Sequence, residues 1–122
     1  MLRKILISAV VMIIFSAQSV FAKDVWVHTN PDGTEFFVMN ETAEDKSQLG
    51  RVVINVKVKN IHNGELLGVH DYNFELTEGY SKYSIDGAEH EWIHKNKSAE
   101  RVCVYCLNYL GIDVGKVLRM SD

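Results

Sequence analysis

An alternation of apolar and polar residues between positions 52 and 59 constrains the fold of this chain more than any other feature. Branched apolar residues occupy every second position, and Asn55, Lys57 and Lys59 lie between them. Side chains along a β-strand point alternately to the two faces of a sheet. The segment is therefore predicted to be a strand with one buried face and one solvated face, as in an antiparallel sheet.

Turn residues on both sides of this strand predict its partners. Asn63 and Gly64 supply the two positive-φ residues of a type I′ turn, which returns the chain into a second alternating strand. Upstream, the Pro- and Gly-containing turn at 30–33 joins strands predicted over 25–29 and 34–39. Phe36 and Phe37 are neighbours in the second of these. One of the two rings is therefore expected to point away from the core, where it could mark a binding surface.

The C-terminal part of the chain changes to a helical period. Apolar residues recur at spacings of three and four after Ser98, which is the predicted N-cap, and Gly111 is the predicted C′ residue that ends the helix. Residues 114–118 are predicted to form an edge strand or a frayed tail. These patterns together predict an α+β fold: a single antiparallel β-sheet of about five to six meandering strands, packed against one C-terminal helix.

Residues 1–22 follow the order of a secretory signal peptide. Arg3 and Lys4 precede an apolar run, and Ala22 completes a small-residue cleavage site. The run of about 11 apolar residues is too short to cross the roughly 30 Å hydrocarbon core as a helix. We expect cleavage after Ala22, a single domain over 23–122, no membrane span after removal of the signal, and a secreted or periplasmic product.

Charge restricts the partners that this domain could bind. The chain has a net charge of −3, and loss of Arg3 and Lys4 with the signal would make it −5. An acidic domain of this kind is poorly suited to bind the phosphates of a nucleic acid. Hydrophobic residues at 47% and charged residues at 24% are close to globular averages, so the mature chain is expected to fold by itself.

The string HExxH at His90, Glu91 and His94 is the first of two motifs with chemical meaning. On a helix it places two histidines one turn apart to bind zinc, with the glutamate as general base. No histidine follows His94 to supply a third ligand. Residues 88–95 also alternate as a strand would, and in a strand four residues span about 13 Å, too far for one metal. His90 and His94 are therefore weak metal candidates, and no metal or other cofactor is predicted.

Cys103 and Cys106 form the second motif, CxxC. A thiol-exchange enzyme places such a cysteine at a helix N-terminus, whereas Cys103 begins about a turn inside the predicted helix. Both cysteines fall on its apolar face, which favours buried thiols that pack as small hydrophobic residues. A disulfide between Cys103 and Cys106 ranks second, because an undistorted helix holds the Cβ atoms at i and i+3 too far apart.

The order of features resembles the surface-adhesin protein E-like domains of exported bacterial proteins. The shared pattern consists of a signal, an early Trp26 strand, a Gly33 turn into an aromatic strand, a valine-rich strand with lysines and a closing helix. The resemblance implies a small antiparallel sheet at the cell envelope that recognises host matrix or plasma proteins and performs no chemistry. No binding residue carries over from it.

These observations predict a non-enzymatic binding or adhesion-type module of the bacterial cell envelope. Its partner would be a protein or another envelope or matrix macromolecule, and no catalytic or cofactor-binding residue is assigned. The first alternative is a small zinc-dependent hydrolase that uses the string at 90–94. The second is a thiol redox protein that uses Cys103 and Cys106.

Overall fold

A computed structural model describes residues 24–120, and the predicted signal at 1–22 lies outside them. The described residues form a seven-stranded antiparallel sheet and two helices, in agreement with the predicted α+β class. The strands are β1 Asp24–Thr29, β2 Glu35–Met39, β3 Glu44–Asp45, β4 Val52–His62, β5 Glu65–Leu76, β6 Ser81–Ile85 and β7 Glu91–Trp92. The helices are α1 Lys97–Leu110 and α2 Val114–Arg119.

The sheet is a meander in which β4 is the centre. The strand order is β1-β2-β4-β5-β6-β7, and β3 pairs with β4 on the side that β2 also occupies. The predicted alternation is confirmed, since Val52, Ile54 and Val58 are fully buried while Lys57 is exposed. The polar segment 40–50 between β2 and β4 contains a 3₁₀ turn at Asn40–Thr42 and the short strand β3.

The hairpin between β4 and β5 combines a two-residue turn with a β-bulge. Asn63 and Gly64 have φ of 52° and 78°, as the predicted type I′ turn requires. Ile61 pairs with Leu66 but Asn60 pairs with Gly68, which leaves Leu67 as the extra residue of the bulge. The bulge moves the pairing by one residue, so that the apolar positions of β4 and β5 share a face.

Helix α1 covers this apolar face. Its buried residues recur at helical spacing and join the sheet residues in one core: Ala99, Val102, Cys103 and Cys106. Asn96, not the predicted Ser98, is the N-cap, because its side chain accepts a hydrogen bond from the backbone nitrogen of Ala99 at 3.1 Å. Ser98 donates its own hydroxyl to Asn96 Oδ1 at 2.6 Å, and is buried.

The predicted end of α1 at Gly111 is confirmed, and the prediction for the tail that follows is wrong. Gly111 adopts φ 67°, and the backbone nitrogen of Ile112 donates to the carbonyl of Leu107 at 3.0 Å, as in a Schellman motif. The tail predicted as an edge strand or frayed end is instead helix α2. Asp113 caps it by accepting from the backbone nitrogen of Lys116 at 3.0 Å, a signal that apolar spacing alone does not reveal.

Candidate functional site

The open face of the sheet, opposite the two helices, carries the polar residues of the central strands. Both helices pack their apolar residues against the core face. Cross-strand pairing places Asn55 beside Asn73 and Asn73 beside Ser84, so that polar side chains form a row across β4, β5 and β6. Lys57 and Asp71 form the next row.

An open groove of about 790 Å³ lies over these two rows. The segment from Glu41 to Glu44 forms one wall, and the loop from Gly87 to His90 forms the other. The 3₁₀ turn that builds the first wall is held to β4, since the Thr42 hydroxyl accepts from the backbone nitrogen of Lys57 at 2.8 Å. We call this depression the amide groove.

A directed chain of hydrogen bonds forms the floor of the amide groove. Asn73 donates through Nδ2 to Oδ1 of Asn55 at 2.6 Å, and its own Oδ1 accepts from Nε2 of His90 at 3.0 Å. Among the described residues this leaves Nδ2 of Asn55 as a free donor and, in the neutral imidazole that donates through Nε2–H, Nδ1 of His90 as a free acceptor. A peptide group has one C=O and one N–H. It can therefore accept from the free donor at one end of this hydrogen-bond chain and donate to the free acceptor at the other.

Ion pairs fix the charged residues around the groove. Lys57 lies 3.3 Å from Asp71, and Glu44 lies 3.4 Å from Lys46. Glu41 forms no ion pair with any described residue. The groove is thus lined by three carboxylates against one ammonium group, which favours a cationic or neutral ligand.

The turn after β6 is held in place by a second polar contact. His70 Nδ1 lies 2.6 Å from a carboxylate oxygen of Asp86, whose other oxygen accepts from the backbone nitrogen of Asp71 at 2.8 Å. The side-chain hydrogen bond from His70 and the backbone hydrogen bond from Asp71 lower the pKa of Asp86. Asp86 also has φ of 54°, so these bonds hold a left-handed residue at the start of the groove wall.

Exposed aromatic residues flank the groove at both ends of the open face. At one end the Lys82 ammonium lies 4.4 Å from the ring centre of Tyr80 and 5.5 Å from that of Trp92, which is 42% exposed. At the other end Trp26, which is 53% exposed, pairs across β1 and β2 with Phe37. Phe36 is buried and Phe37 only partly so, as the sequence predicted for one of the pair.

The HExxH residues do not share a helical face. Glu91 lies in strand β7, and His94 lies in the 3₁₀ turn at Ile93–Lys95. The three side chains have separate surroundings: His90 bonds to Asn73, Glu91 accepts from the Tyr83 hydroxyl at 3.1 Å, and His94 lies beside Trp92. Within residues 24–120 no group of three or more His, Cys, Asp or Glu is arranged to hold a metal ion.

The CxxC cysteines lie in the core. Cys103 and Cys106 are unbonded and are 3% and 0% exposed. Burial raises the pKa of each thiol to about 12, and the neighbouring Cys106 and Glu100 add to the effect at Cys103. Thiols of this kind are protonated at neutral pH and have no route to a substrate, since the thiolate is the reactive form.

Comparison with known proteins does not indicate a function for this chain, so the fold and the groove are the basis for proposing one. No family model, no curated protein and no solved structure matches the chain. None of the helices between residues 24 and 120 has the length and apolar character needed to cross a membrane.

The alternation placed Asn55 on the solvated face of β4 but did not indicate that Asn73 lies beside it. Their pairing depends on the register of the β4–β5 hairpin, which the bulge at Leu67 sets. A signal for the bulge is present in the sequence. With the two-residue turn at 63–64 alone, each even-numbered residue of β4 would pair with an odd-numbered residue of β5. The apolar residues of both strands are even-numbered, so one extra residue is required to place them on the same face of the sheet.

Proposed function

We propose that this chain is an exported, non-enzymatic binding module of the cell envelope, and that its amide groove binds an extended, positively charged segment of a partner protein. The observation that carries the proposal is the hydrogen-bond chain from His90 through Asn73 to Asn55, which presents one free acceptor and one free donor on an open sheet face. The export signal and the envelope location are the predictions made from residues 1–22.

The charges and aromatic residues of the open face support a polypeptide partner. Glu41 forms no ion pair within the described part of the chain and can meet a lysine or arginine. Exposed Trp26 and Trp92 lie at the two ends of the face, and tryptophan is among the residues that contribute most at protein interfaces. The resemblance to surface-adhesin protein E-like domains agrees with such a role and remains a prediction from the sequence.

The two enzyme alternatives find less support in the geometry. Zinc hydrolysis through HExxH needs both histidines on one helical turn, and Glu91 here accepts a hydrogen bond from Tyr83. Thiol exchange needs an accessible thiolate, and both cysteines are buried with a raised pKa.

An array of 12-residue peptides that differ in charge, probed beside an array of envelope and matrix glycans, tests the proposal. Lysine- and arginine-containing peptides should bind the purified chain, and acidic peptides should not. Asn73→Ala interrupts the amide chain and should weaken binding about tenfold, the effect expected for losing a hydrogen bond and leaving its partners unmet. Asn108→Ala makes the same change on the exposed surface of α1 and should leave binding unchanged.

A second pair of variants tests the role of charge. Glu41→Gln should weaken binding of cationic peptides, while Glu78→Gln, in the exposed turn after β5, should not. Binding to glycans alone, or equal effects of Asn73→Ala and Asn108→Ala, would contradict the proposal.

A further inference from the structure

The outer edge of β5 is unpaired over half of its length. Strand β6 pairs with β5 only from Tyr72 to Leu76, and no strand among residues 24–120 pairs with the segment 65–70 on that side. A free edge presents backbone N–H and C=O groups to any strand that can align with it. We call residues 65–70 the free edge.

The free edge is apolar and lacks two common protections against pairing. Leu66, Leu67 and Val69 are 55%, 60% and 43% exposed. The segment contains neither lysine nor proline, the residues with which many proteins prevent edge strands from associating. A contiguous group of exposed apolar side chains on an edge strand indicates an interaction surface.

Because of the bulge, residues equally far from the centre of the free edge lie on the same face of the sheet. Two antiparallel copies of the edge can therefore match face to face. Leu66 and Val69 share the open face, because they pair with Ile61 and Lys59 of β4. Glu65 and His70 share the other face, because they pair with His62 and Val58. Without the extra Leu67, residues 66 and 69 would lie on opposite faces.

We propose that the chain forms a two-fold dimer in which the free edges of two copies pair as antiparallel strands. The register places Leu66 opposite Val69 of the second copy and Glu65 opposite its His70. Leu67 then faces Gly68, beside which the His70 imidazole lies. The pairs Leu66–Val69 and Glu65–His70 each match in face. The first pair is apolar, and the second places Glu65 beside an imidazole that already contacts Asp86.

The neighbouring registers are less favourable. A register centred on Gly68 places Glu65 opposite Asp71, which sets two carboxylates together. A register centred on Leu67 places Glu65 opposite Val69. Like charges directly opposite each other destabilise a sheet, and a carboxylate against an apolar residue gains nothing. The partner is therefore a second copy of this chain, and the prediction does not depend on the amide groove.

Sedimentation of the purified chain over a concentration series tests the dimer. The mass should rise reversibly from that of a monomer to twice that value, with no larger species. Leu66→Lys and Val69→Lys place a charge on the free edge and should keep the chain monomeric. Val104→Lys changes an equally exposed valine of α1 and should leave the dimer intact. A far-ultraviolet circular dichroism spectrum confirms that each variant is folded.

Cysteine crosslinking tests the register. A mixture of Leu66→Cys and Val69→Cys chains should form the mixed disulfide under mild oxidation, because directly opposite residues have Cα atoms about 4.5 to 5.5 Å apart. Each variant alone should crosslink much more slowly. A mixture of Leu67→Cys and Val69→Cys chains reports the register centred on Gly68 and should not crosslink. The proposal is overturned by a monomer at all concentrations, by a dimer that Leu66→Lys leaves intact, or by crosslinking in the second mixture.

Discussion

At the scale of single residues, the same amino acid behaves differently according to the face of α1 that it occupies. Val102 is fully buried and Val104 is 50% exposed, although they are two positions apart. Val102→Ala should lower the free energy of unfolding by about 2 kcal/mol, from lost burial and the cavity that remains. Val104→Ala should be neutral or stabilise by up to about 0.5 kcal/mol, because alanine has the higher helix propensity. Urea unfolding of both variants measures the difference, and equal effects would contradict the placement of the helix face.

The buried thiols predict slow chemistry in the folded chain. Cys103 and Cys106 should react with a thiol reagent at neutral pH only after denaturation, since burial both blocks access and raises the thiol pKa. Val104→Cys adds a thiol in the same helix on its exposed side and should react within the folded state. The measurement is the number of thiols labelled against time. Rapid labelling of Cys106 in folded protein would contradict its burial and would favour the alternative of a thiol redox protein.

The raised pKa values also predict how stability depends on pH. Each thiol keeps its proton in the folded chain up to about pH 12, whereas the ordinary pKa of a thiol, expected in the unfolded chain, is 9.0. The stabilisation is complete below pH 9 and is lost as the pH rises from there toward 12, by roughly 1 kcal/mol per pH unit for each thiol. The variant with both cysteines changed to alanine should lose stability less steeply in this range, while Val104→Ala keeps the original slope. Urea unfolding at a series of pH values distinguishes them.

At the scale of elements, the sequence predicted the strands and α1 well because their signals are local. Alternation identified β4, and helical spacing with Gly111 identified α1 and its end. The tail failed because six residues of α2 contain too few apolar positions to show a period, so its cap at Asp113 carries the signal. The N-cap moved from Ser98 to Asn96 because both side chains can cap, and only the structure shows which one reaches the backbone of Ala99.

The candidate site was harder to predict than the elements that carry it. His90 was noticed as part of HExxH, but its partner is Asn73 on another strand, 17 positions away. Such a contact depends on the pairing of β5 with β6 and on the positive-φ turn at Asp86 and Gly87 that follows β6, which a five-residue string does not reveal. The motif binds a metal only on a helix, and residues 91–92 form a short strand instead.

Two glycines near the C-terminus offer a matched test of the helix ends. Gly111 has φ of +67°, a conformation that strains any residue with a side chain, so Gly111→Ala should cost about 1 kcal/mol. Gly115 lies inside α2 without positive φ, and a Cβ there would be in ordinary contact with Arg119 at 3.5 Å. Gly115→Ala should therefore stabilise by up to about 1 kcal/mol. Thermal unfolding checks the opposite signs, and a loss of stability in both variants would show that α2 is not helical.

At the scale of the whole molecule, the two faces of the sheet differ in character: one is apolar and packs against the helices, and the other is polar and open. Helix α1 and the valines of β4 provide the stability on the core face. The open face contains the groove, which can vary in polarity without disturbing the core. The edge of β5 is a third surface, so the proposed ligand binding and the proposed dimer can be tested by separate substitutions, Asn73→Ala for the first and Leu66→Lys for the second.

Cleavage after Ala22 is a prediction from the sequence, and residues 1–22 lie outside those that the structure describes. Cleavage after Ala22 would leave Lys23 as the first residue, and β1 starts at Asp24, whose carboxylate pairs with the Lys59 ammonium. We expect the chain expressed with its own N-terminus in a bacterium to be recovered outside the cytoplasm with the mass of residues 23–122.

Substitutions on the two sides of the predicted cleavage site test this processing. Ala22→Arg replaces the small residue that the peptidase requires and should retain the full mass. Lys23→Ala changes the residue after the bond and should be processed normally. Mass spectrometry of the exported fraction distinguishes these outcomes. A full-length chain that accumulates in the cytoplasm would contradict export, and would place the amide groove where envelope partners could not reach it.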